Sequence, residues 1–177
     1  MANWCTTDVT VTGPKEQVEK LYKTMRELTD KKEPVSAGEW GSTWYGNLVT
    51  AFGGKWEKVC CRGYFFDLDY ENGVLRWSDE FAWSEPYEVF AFLREKLPGI
   101  SISFYAEEPG CDYFVTNRPD FAQYISDFDG EWEYHDSLKD LLKYAGEYFN
   151  RVFTTYSGLE KFCEERDCNV HKIDLVE

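Results

Sequence analysis

The chain has 177 residues, which is enough for one domain with a substantial hydrophobic core. It carries 33 Asp and Glu against 19 Lys and Arg, a net charge of −14, so binding to nucleic-acid phosphates is not expected. No signal peptide or membrane-length apolar run accompanies the six cysteines, so we expect a cytoplasmic protein with free thiols and no membrane contact.

The first elements predicted are a strand, a helix and an unusual lobe. Apolar and polar residues alternate from Asn3 to Thr12, with Cys5 and Val9 on one face, as in a half-buried strand. Apolar residues at helical spacing follow and predict a helix to about Thr29. The stretch 34–63 then places glycines beside tryptophans, and we interpret it as an irregular insertion in which large rings pack against a tight backbone.

A hairpin is predicted around the Asn-Gly pair at 72–73, because both central positions of its tight turn need a positive φ. A two-residue loop places Asp69 opposite Arg76, and this opposite-charge pair supports the register. Continued without a break, the same register places Tyr64 opposite Phe81 on the core face.

One residue does not suit that core face. Asp79 lies between Trp77 and Phe81 along the strand, and the predicted register places it opposite Phe66. It lies at a rim, or a β-bulge re-aims it, or it is a functional carboxylate, since a buried acid usually needs a partner.

A helix and a strand complete the N-terminal pattern. Ser84 is the predicted N-cap of a helix whose apolar stripe includes Val89, Phe90 and Leu93. The helix ends at Pro98-Gly99, and a half-buried strand starts near Ile100. The order strand, helix, lobe, strand, strand, helix, strand predicts an α+β fold, a ferredoxin-like βαββαβ sandwich with an antiparallel sheet and both helices on one face. We place this core at residues 1–118, with the aromatic and glycine-rich insertion at about 34–63.

Short motifs lie along this predicted core: Asn3-Trp4-Cys5, Gly53-Gly54-Lys55-Trp56, Phe81-Ala82-Trp83-Ser84-x-Pro86 and Leu97-Pro98-Gly99-Ile100. In order and spacing they resemble the YubB-like family, an Api-type ferredoxin-like domain of bacterial, plasmid and phage proteins of unknown function. The chain departs from the family pattern at Gly53, where a tryptophan is usual. The resemblance implies a ferredoxin-like fold and a bacterial or mobile-element origin, and it implies no activity, cofactor or catalytic residue.

For residues 119–177 the sequence predicts an extension of the core, made of a hairpin and helices that pack on it. From residue 111 onward the sequence predicts a strand at 111–118, a hairpin turn at 129–130 and a helix from Ser137 to about Phe149. It further predicts a short helix that starts with a capping box formed by Ser157 and Glu160, and a strand at 170–175. No flexible linker separates this part from the core.

The candidate ligand-binding residues are Trp44, Lys55, Trp56, Asp79 and Trp83. The tryptophan- and glycine-rich lobe can form a ligand platform, and Asp79 can supply a carboxylate. Cys163, Cys168 and His171 lack the spacing and the fourth ligand of a zinc site. We therefore expect no metal, no cofactor and no catalytic constellation.

These observations support three hypotheses of function. The leading one is a non-enzymatic, acidic interaction or accessory protein whose partner is a basic or DNA-binding protein. The second is a small-ligand binder or an enzyme that uses the tryptophan- and glycine-rich lobe with Asp79, and it needs a concave pocket there. The third is a DNA-mimic inhibitor, which needs carboxylates at phosphate-like spacing along one face.

Overall fold

The structure is a computed structural model that describes residues 3–31 and 40–176. These ranges have a mixed α+β architecture with five α-helices and open β-sheets. The chain divides into two compact units, Met1–Tyr113 and Phe114–Glu177. The first part of the predicted lobe, 34–39, lies outside the described residues, and the packing of the C-terminal part on the core stays a prediction.

Four strands of the N-terminal unit pair with one another: β1 (Trp4–Thr12), β2 (Gly63–Glu71), β3 (Val74–Ala82) and β4 (Ser101–Glu108). They lie in the order β2-β3-β1-β4, and every neighbouring pair is antiparallel. β1 is therefore an inner strand, with β3 on one side and β4 on the other. Cys5, Val9 and Val11 on β1 are buried, which confirms the face predicted from the alternation.

Three helices belong to the same unit: α1 (Lys15–Asp30), α2 (Tyr45–Ala51) and α3 (Tyr87–Lys96). α1 buries Leu21, Met25 and other members of its predicted apolar stripe. α3 buries Phe90, whose ring centroid lies 5.5 Å from that of Phe104 on β4. The apolar stripes predicted for both helices are therefore confirmed.

Ser84 does not cap α3, contrary to the prediction. Its hydroxyl donates to the carbonyl oxygen of Glu85 at 3.2 Å, and the helix begins later, at Tyr87, with Pro86 at the N-cap position. The Glu85 side chain turns into the protein, where it is 9% exposed and accepts a hydrogen bond from the hydroxyl of Tyr113. Glu85 therefore precedes the helix and does not lie in its first turn, as the prediction required.

The sequence suggested an irregular lobe, but part of the lobe is the helix α2. This helix buries Tyr45, Leu48 and Val49 completely. Seven residues are too few to give a reliable periodic signal, and Gly46 is a poor helix former, so the helix is hard to detect in the sequence.

The hairpin turn forms as predicted. Asn72 and Gly73 both have a positive φ, 53° and 81°. Asp69 lies opposite Arg76, with 3.5 Å between Arg76 Nη1 and Asp69 Oδ2. Both side chains are exposed, so the ion pair fixes register more than it adds to stability.

Further from the turn the predicted register is wrong, because β2 contains a β-bulge. Asp67 has a φ of 51°, and the pairing shifts between positions 66 and 69. Tyr64 therefore does not lie opposite Phe81 on the core face. Phe65 takes the buried position and Tyr64 lies on the outer face, 36% exposed. The bulge thus decides which aromatic side chain of β2 enters the core.

The elements that follow are β5 (Tyr113–Thr116), β6 (Tyr124–Asp127), β7 (Trp132–His135), α4 (Leu138–Phe149), α5 (Tyr156–Glu164), β8 (Asn169–Lys172) and β9 (Asp174–Leu175). The predicted hairpin is present as β6 and β7, and the sheet order is β7-β6-β8. β5 pairs in parallel with β9. Leu141, Ala145, Leu159 and Cys163 form the centre of this unit's core.

The helices of the described ranges lack the length and apolar character that a membrane crossing needs.

The N-caps of α4 and α5 differ in how well the sequence reveals them. Ser137 caps α4 as predicted and accepts a hydrogen bond from the Asp140 amide at 3.2 Å. α5 is capped by Thr155, which accepts from the Gly158 amide at 3.1 Å, so the capping box predicted at Ser157 is wrong. Ser157 lies inside the first turn of the helix.

Replacing Thr155 with alanine is expected to destabilise the C-terminal unit by about 1 kcal/mol, because the Gly158 amide loses its acceptor. Ser157→Ala is the matched control, and its free energy of unfolding should change by no more than about 0.5 kcal/mol because Ser157 is exposed. Urea denaturation followed by far-UV circular dichroism measures both. A larger loss in Ser157→Ala than in Thr155→Ala would contradict the assignment.

Candidate functional site

The described part of the N-terminal unit contains a groove of about 780 Å³ with aromatic walls. The aromatic residues that line it are Trp4, Trp40, Trp44, Trp56 and Tyr64. Glu57 and Arg62 add one charge of each sign, and Cys60 and Cys61 add two thiols. The volume is within the range of small-molecule sites, and an apolar wall with few polar groups is typical of them.

The strands place two of the aromatic walls on the outer face of the sheet. Trp4 starts β1 opposite Ala82, and Tyr64 on β2 lies opposite Glu80. The ring centroids of Trp4 and Tyr64 are 5.9 Å apart, and the ring planes are inclined by 56°. The hydroxyl of Tyr64 donates to a carboxylate oxygen of Glu80. Tyr64 reaches this face only because of the bulge in β2.

The lobe supplies the other walls. Trp44 lies just before α2, and its backbone forms a single antiparallel bridge with Tyr64. Its ring meets that of Trp56 nearly edge to face, with centroids 5.2 Å apart and planes at 65°, and it stacks on Trp40 at 6.4 Å. The indole N–H of Trp44 donates to the carbonyl oxygen of Cys61. With its one donor used, Trp44 presents an aromatic surface to the groove.

Gly63 allows β2 to approach β3 at the floor of the groove. A Cβ at this position would collide with the carbonyl oxygen of Glu80 and would lie 2.6 Å from Cδ2 and 2.7 Å from Cα of Phe81. Two of these atoms belong to backbone, which cannot move aside as a flexible side chain can. Position 63 therefore requires glycine on steric grounds.

The thiol of Cys61 is not suited to nucleophilic chemistry. It is 6% exposed, and burial, with smaller contributions from Cys60 and Glu88, raises its pKa from 9.0 to about 12. A thiol with this pKa is protonated at neutral pH, and the thiolate is the reactive form. Cys61 therefore contributes a soft, neutral surface to the groove.

Asp79 lies in the core with no exposed side-chain surface, so the proposed rim position is wrong. In the sheet it faces Thr7 on β1 and Phe65 on β2. Its Oδ2 accepts a hydrogen bond from the Tyr45 hydroxyl at 2.6 Å, and the Tyr45 oxygen accepts one from the indole N–H of Trp77 at 2.9 Å. The bulge in β2 moves its partner from the predicted Phe66 to Phe65 and leaves Asp79 on the buried face.

Burial raises the pKa of Asp79 from 3.8 to about 7, although the neighbouring Tyr45 and Thr7 hydroxyls act to lower it. Within the described ranges, Asp79 Oδ1 and Thr7 Oγ1 have no hydrogen-bond partner of normal geometry. This carboxyl is therefore half protonated near neutral pH. It is a perturbed acid of the kind that occurs at functional sites, but solvent does not reach it.

Further acidic groups lie near this end of the core. Glu85 and Glu108 are each 9% exposed, and Cys5 is fully buried. Burial is the main reason why the pKa of Cys5 rises from 9.0 to about 12, and the charges of Asp79, Glu85 and Glu108 add to the rise. The Cys5 thiol is thus neutral and inert.

The five candidate residues from the sequence do not meet in one place. Trp44 and Trp56 line the groove. Lys55 is exposed and precedes a single turn of 3₁₀ helix, and Trp83 is 50% exposed. Neither they nor Asp79 are among the lining residues in the described part of the chain. The groove and the perturbed carboxyl are therefore separate features.

No protein-family model matches the chain, and no curated protein matches it in sequence.

Three aromatic groove residues are absent from the candidates predicted from the sequence: Trp4, Trp40 and Tyr64. A usable signal existed for Trp4, because its face of β1 otherwise carries polar residues such as Thr6 and Asp8. A large aromatic on a polar strand face indicates either a partner or a groove. No comparable signal existed for Tyr64, because its face depends on a bulge that the Asn-Gly turn does not reveal.

Proposed function

We propose that the protein is a non-enzymatic binding protein and that its N-terminal unit takes a small ligand in the tryptophan groove. The observation that carries this proposal is the convergence of five aromatic side chains from β1, β2 and the lobe around about 780 Å³. Four of them are tryptophans, one from β1 and three from the lobe. Trp44 is buried, but Trp4, Trp40 and Trp56 are at least partly exposed, and such a concentration of exposed indole surface is costly in water unless a ligand covers it.

The chemistry of the groove supports binding rather than catalysis. Its buried thiol at Cys61 is protonated at neutral pH because burial raises its pKa to about 12. The perturbed carboxyl of Asp79 has no exposed surface, so it cannot contact a ligand in the groove. An enzyme that combines the lobe with Asp79 would need both in one place.

The fold and origin proposed for the N-terminal unit are those expected from the sequence. The chain order β1, α1, β2, β3, α3, β4 and the antiparallel order β2-β3-β1-β4 support a ferredoxin-like sandwich with α2 inserted. The motifs at 3–5, 53–56, 81–86 and 97–100 support a relationship to the YubB-like family and a bacterial or mobile-element origin. The net charge of −14 supports a basic protein as a further partner.

A screen of small molecules by ligand-observed NMR tests the binding function. The set spans sugars, nucleobases, carboxylates and alkylammonium ions, and we expect at least one class to bind the wild-type protein. Trp4→Ala should weaken that binding at least tenfold because a wall of the groove is lost. Trp83→Ala is the matched control, since this exposed tryptophan does not line the groove, and it should bind as the wild type does.

Two results would contradict the proposal. One is that no class of molecule binds. The other is that a ligand binds equally well to the wild type, Trp4→Ala and Trp56→Ala, which would place its site elsewhere.

A further inference from the structure

The inclination of the aromatic walls limits the shape of the ligand. The planes of Trp44 and Trp56 meet at 65° and those of Trp4 and Tyr64 at 56°, whereas the planes of Trp40 and Trp44 are inclined by only 30°. Two of the three ring pairs are therefore steeply inclined. A flat ring, such as a nucleobase or a sugar, stacks best on a flat platform or between parallel rings. Rings that meet at these angles form corners instead, and two π-faces can contact one rounded group placed in a corner.

The hydrogen-bonding groups of the groove are few. Glu57 and Arg62 are the charged lining side chains in the described ranges, and both are exposed. The Trp44 indole N–H is used by the Cys61 carbonyl, and the Tyr64 hydroxyl donates to Glu80. A sugar presents many hydroxyls that need polar partners when they leave water, so this wall suits it poorly.

The charges around the groove favour a cation. Glu57 lines it, Glu80 accepts from the Tyr64 hydroxyl, and Glu88 accepts from the backbone amide of Cys60 at 2.7 Å. Three carboxylates therefore lie in the wall or bonded directly to it, against the one guanidinium of Arg62. Lys55 and Lys58 flank the Trp56 turn in sequence but do not line the groove. The net charge of −14 adds a long-range attraction for cations.

From these three observations we infer that the ligand is a quaternary ammonium compound, held by its methylated cationic head between the inclined rings. This inference rests on the proposed binding function and specifies the ligand class. Tryptophan is the aromatic side chain that attracts a cation most strongly, and four tryptophans line this groove. A methylated ammonium needs no hydrogen-bond acceptor, because its charge is spread over an apolar surface. The groove has room for the remainder of the molecule beside the head.

A pair of molecules of equal shape separates charge from apolar contact. Choline and its uncharged carbon analogue 3,3-dimethyl-1-butanol have the same size, and only choline carries a positive charge. We expect isothermal titration calorimetry to give at least a tenfold lower Kd for choline with the wild-type protein. Trp4→Leu keeps an apolar wall and removes the π-face, so it should reduce this preference to less than threefold.

Two charge variants are expected to change the affinity for choline in opposite directions. Glu57→Gln removes a carboxylate from the wall and should weaken choline binding about threefold. Arg62→Gln removes the opposing cation and should strengthen choline binding by a similar factor. Neither change should affect 3,3-dimethyl-1-butanol. Thermal denaturation of each variant verifies that the N-terminal unit is folded.

Each outcome is decisive for one of the two claims. Equal affinity for choline and its neutral analogue overturns the cation inference and leaves the binding function standing. Loss of the sign difference between Glu57→Gln and Arg62→Gln also overturns the inference. If neither compound binds but another class binds in a manner that depends on Trp4, the ligand class is wrong and the groove is still a site. If no class binds, the proposed function itself fails.

Discussion

Gly63→Ala is expected to destabilise the N-terminal unit by about 3 kcal/mol or more. The added methyl group would collide with the Glu80 carbonyl oxygen and with Phe81, so β2 and β3 would have to separate where they form the floor of the groove. Urea denaturation followed by tryptophan fluorescence is the suitable measurement. Six of the seven tryptophans lie in this unit, so the signal reports mainly on it.

The control for this prediction is another glycine of the same hairpin. Gly73 has open space around its Cα but a φ of 81°, so Gly73→Ala tests conformational strain without a collision. We expect it to cost about 1 kcal/mol. An effect of Gly63→Ala no larger than that of Gly73→Ala would mean that the two strands can separate there at little cost, and the steric argument would fail.

Asp79→Asn is expected to make the protein more stable than the wild type at pH 8, by about 2 kcal/mol. The buried carboxylate must be charged at that pH, with a single strong hydrogen bond from Tyr45 and an unpartnered Oδ1 in the described structure. The asparagine amide is neutral at every pH. It can accept from Tyr45 in the same way and offer an N–H to Thr7 Oγ1.

The same variant should remove a pH dependence of stability. The pKa of Asp79 is about 7 in the folded protein and 3.8 in an ordinary environment, so between these values the folded state holds a proton that the unfolded chain has released. Stability therefore falls as pH rises through this window, by up to about 1.4 kcal/mol per pH unit. The loss between pH 5 and pH 8 amounts to about 2–3 kcal/mol in the wild type.

Urea denaturation at pH 5 and pH 8 measures this effect, and the difference between variants isolates the one carboxyl from the other titrating groups. Asp69→Asn is the control, because this exposed aspartate lies on the paired strand and should leave the pH dependence unchanged. A wild type and an Asp79→Asn variant with parallel pH profiles would show that Asp79 does not hold a raised pKa in the folded protein.

The parts of the fold that the sequence predicted are those whose signals are local or strongly periodic. The Asn-Gly turn at 72–73, the alternation in β1 and the apolar stripes of α1 and α3 all follow from spacing alone. The cap at Ser137 also formed, because a serine before a long amphipathic helix has few competing roles.

The failures depend on interactions between distant residues. Glu85 is drawn into the protein by Tyr113, which delays the start of α3 beyond Ser84. Asp67 adopts a positive φ and shifts the register of β2, and no residue near the turn reports this shift. Local propensity indicates neither feature.

In the candidate site, too, some features follow from the local sequence and others depend on the fold. The mixture of glycines and tryptophans in the lobe predicts Trp44 and Trp56 as ligand-binding candidates, and both line the groove. The sequence marks Asp79 as unusual for a core face. It does not reveal that Asp79 lies away from the groove, because that position depends on α2, whose Tyr45 packs on Asp79 and donates a hydrogen bond to it. Trp4 joins the lobe only through the placement of β1 inside the sheet.

That inner position of β1 has a consequence for the way the chain is synthesised. β1 ends at Thr12, but its neighbours β3 and β4 start at Val74 and Ser101, so roughly 90 residues separate it from its last partner. At about 5–20 residues per second a ribosome needs roughly 5–20 s to deliver them. Both edges of β1 are unpaired until β3 is made, and the edge that pairs with β4 stays open for the whole interval. Thr6, Asp8 and Thr10 keep one face of the nascent strand polar. Of the four strands β1 to β4, β1 is thus made first and waits longest for its partners.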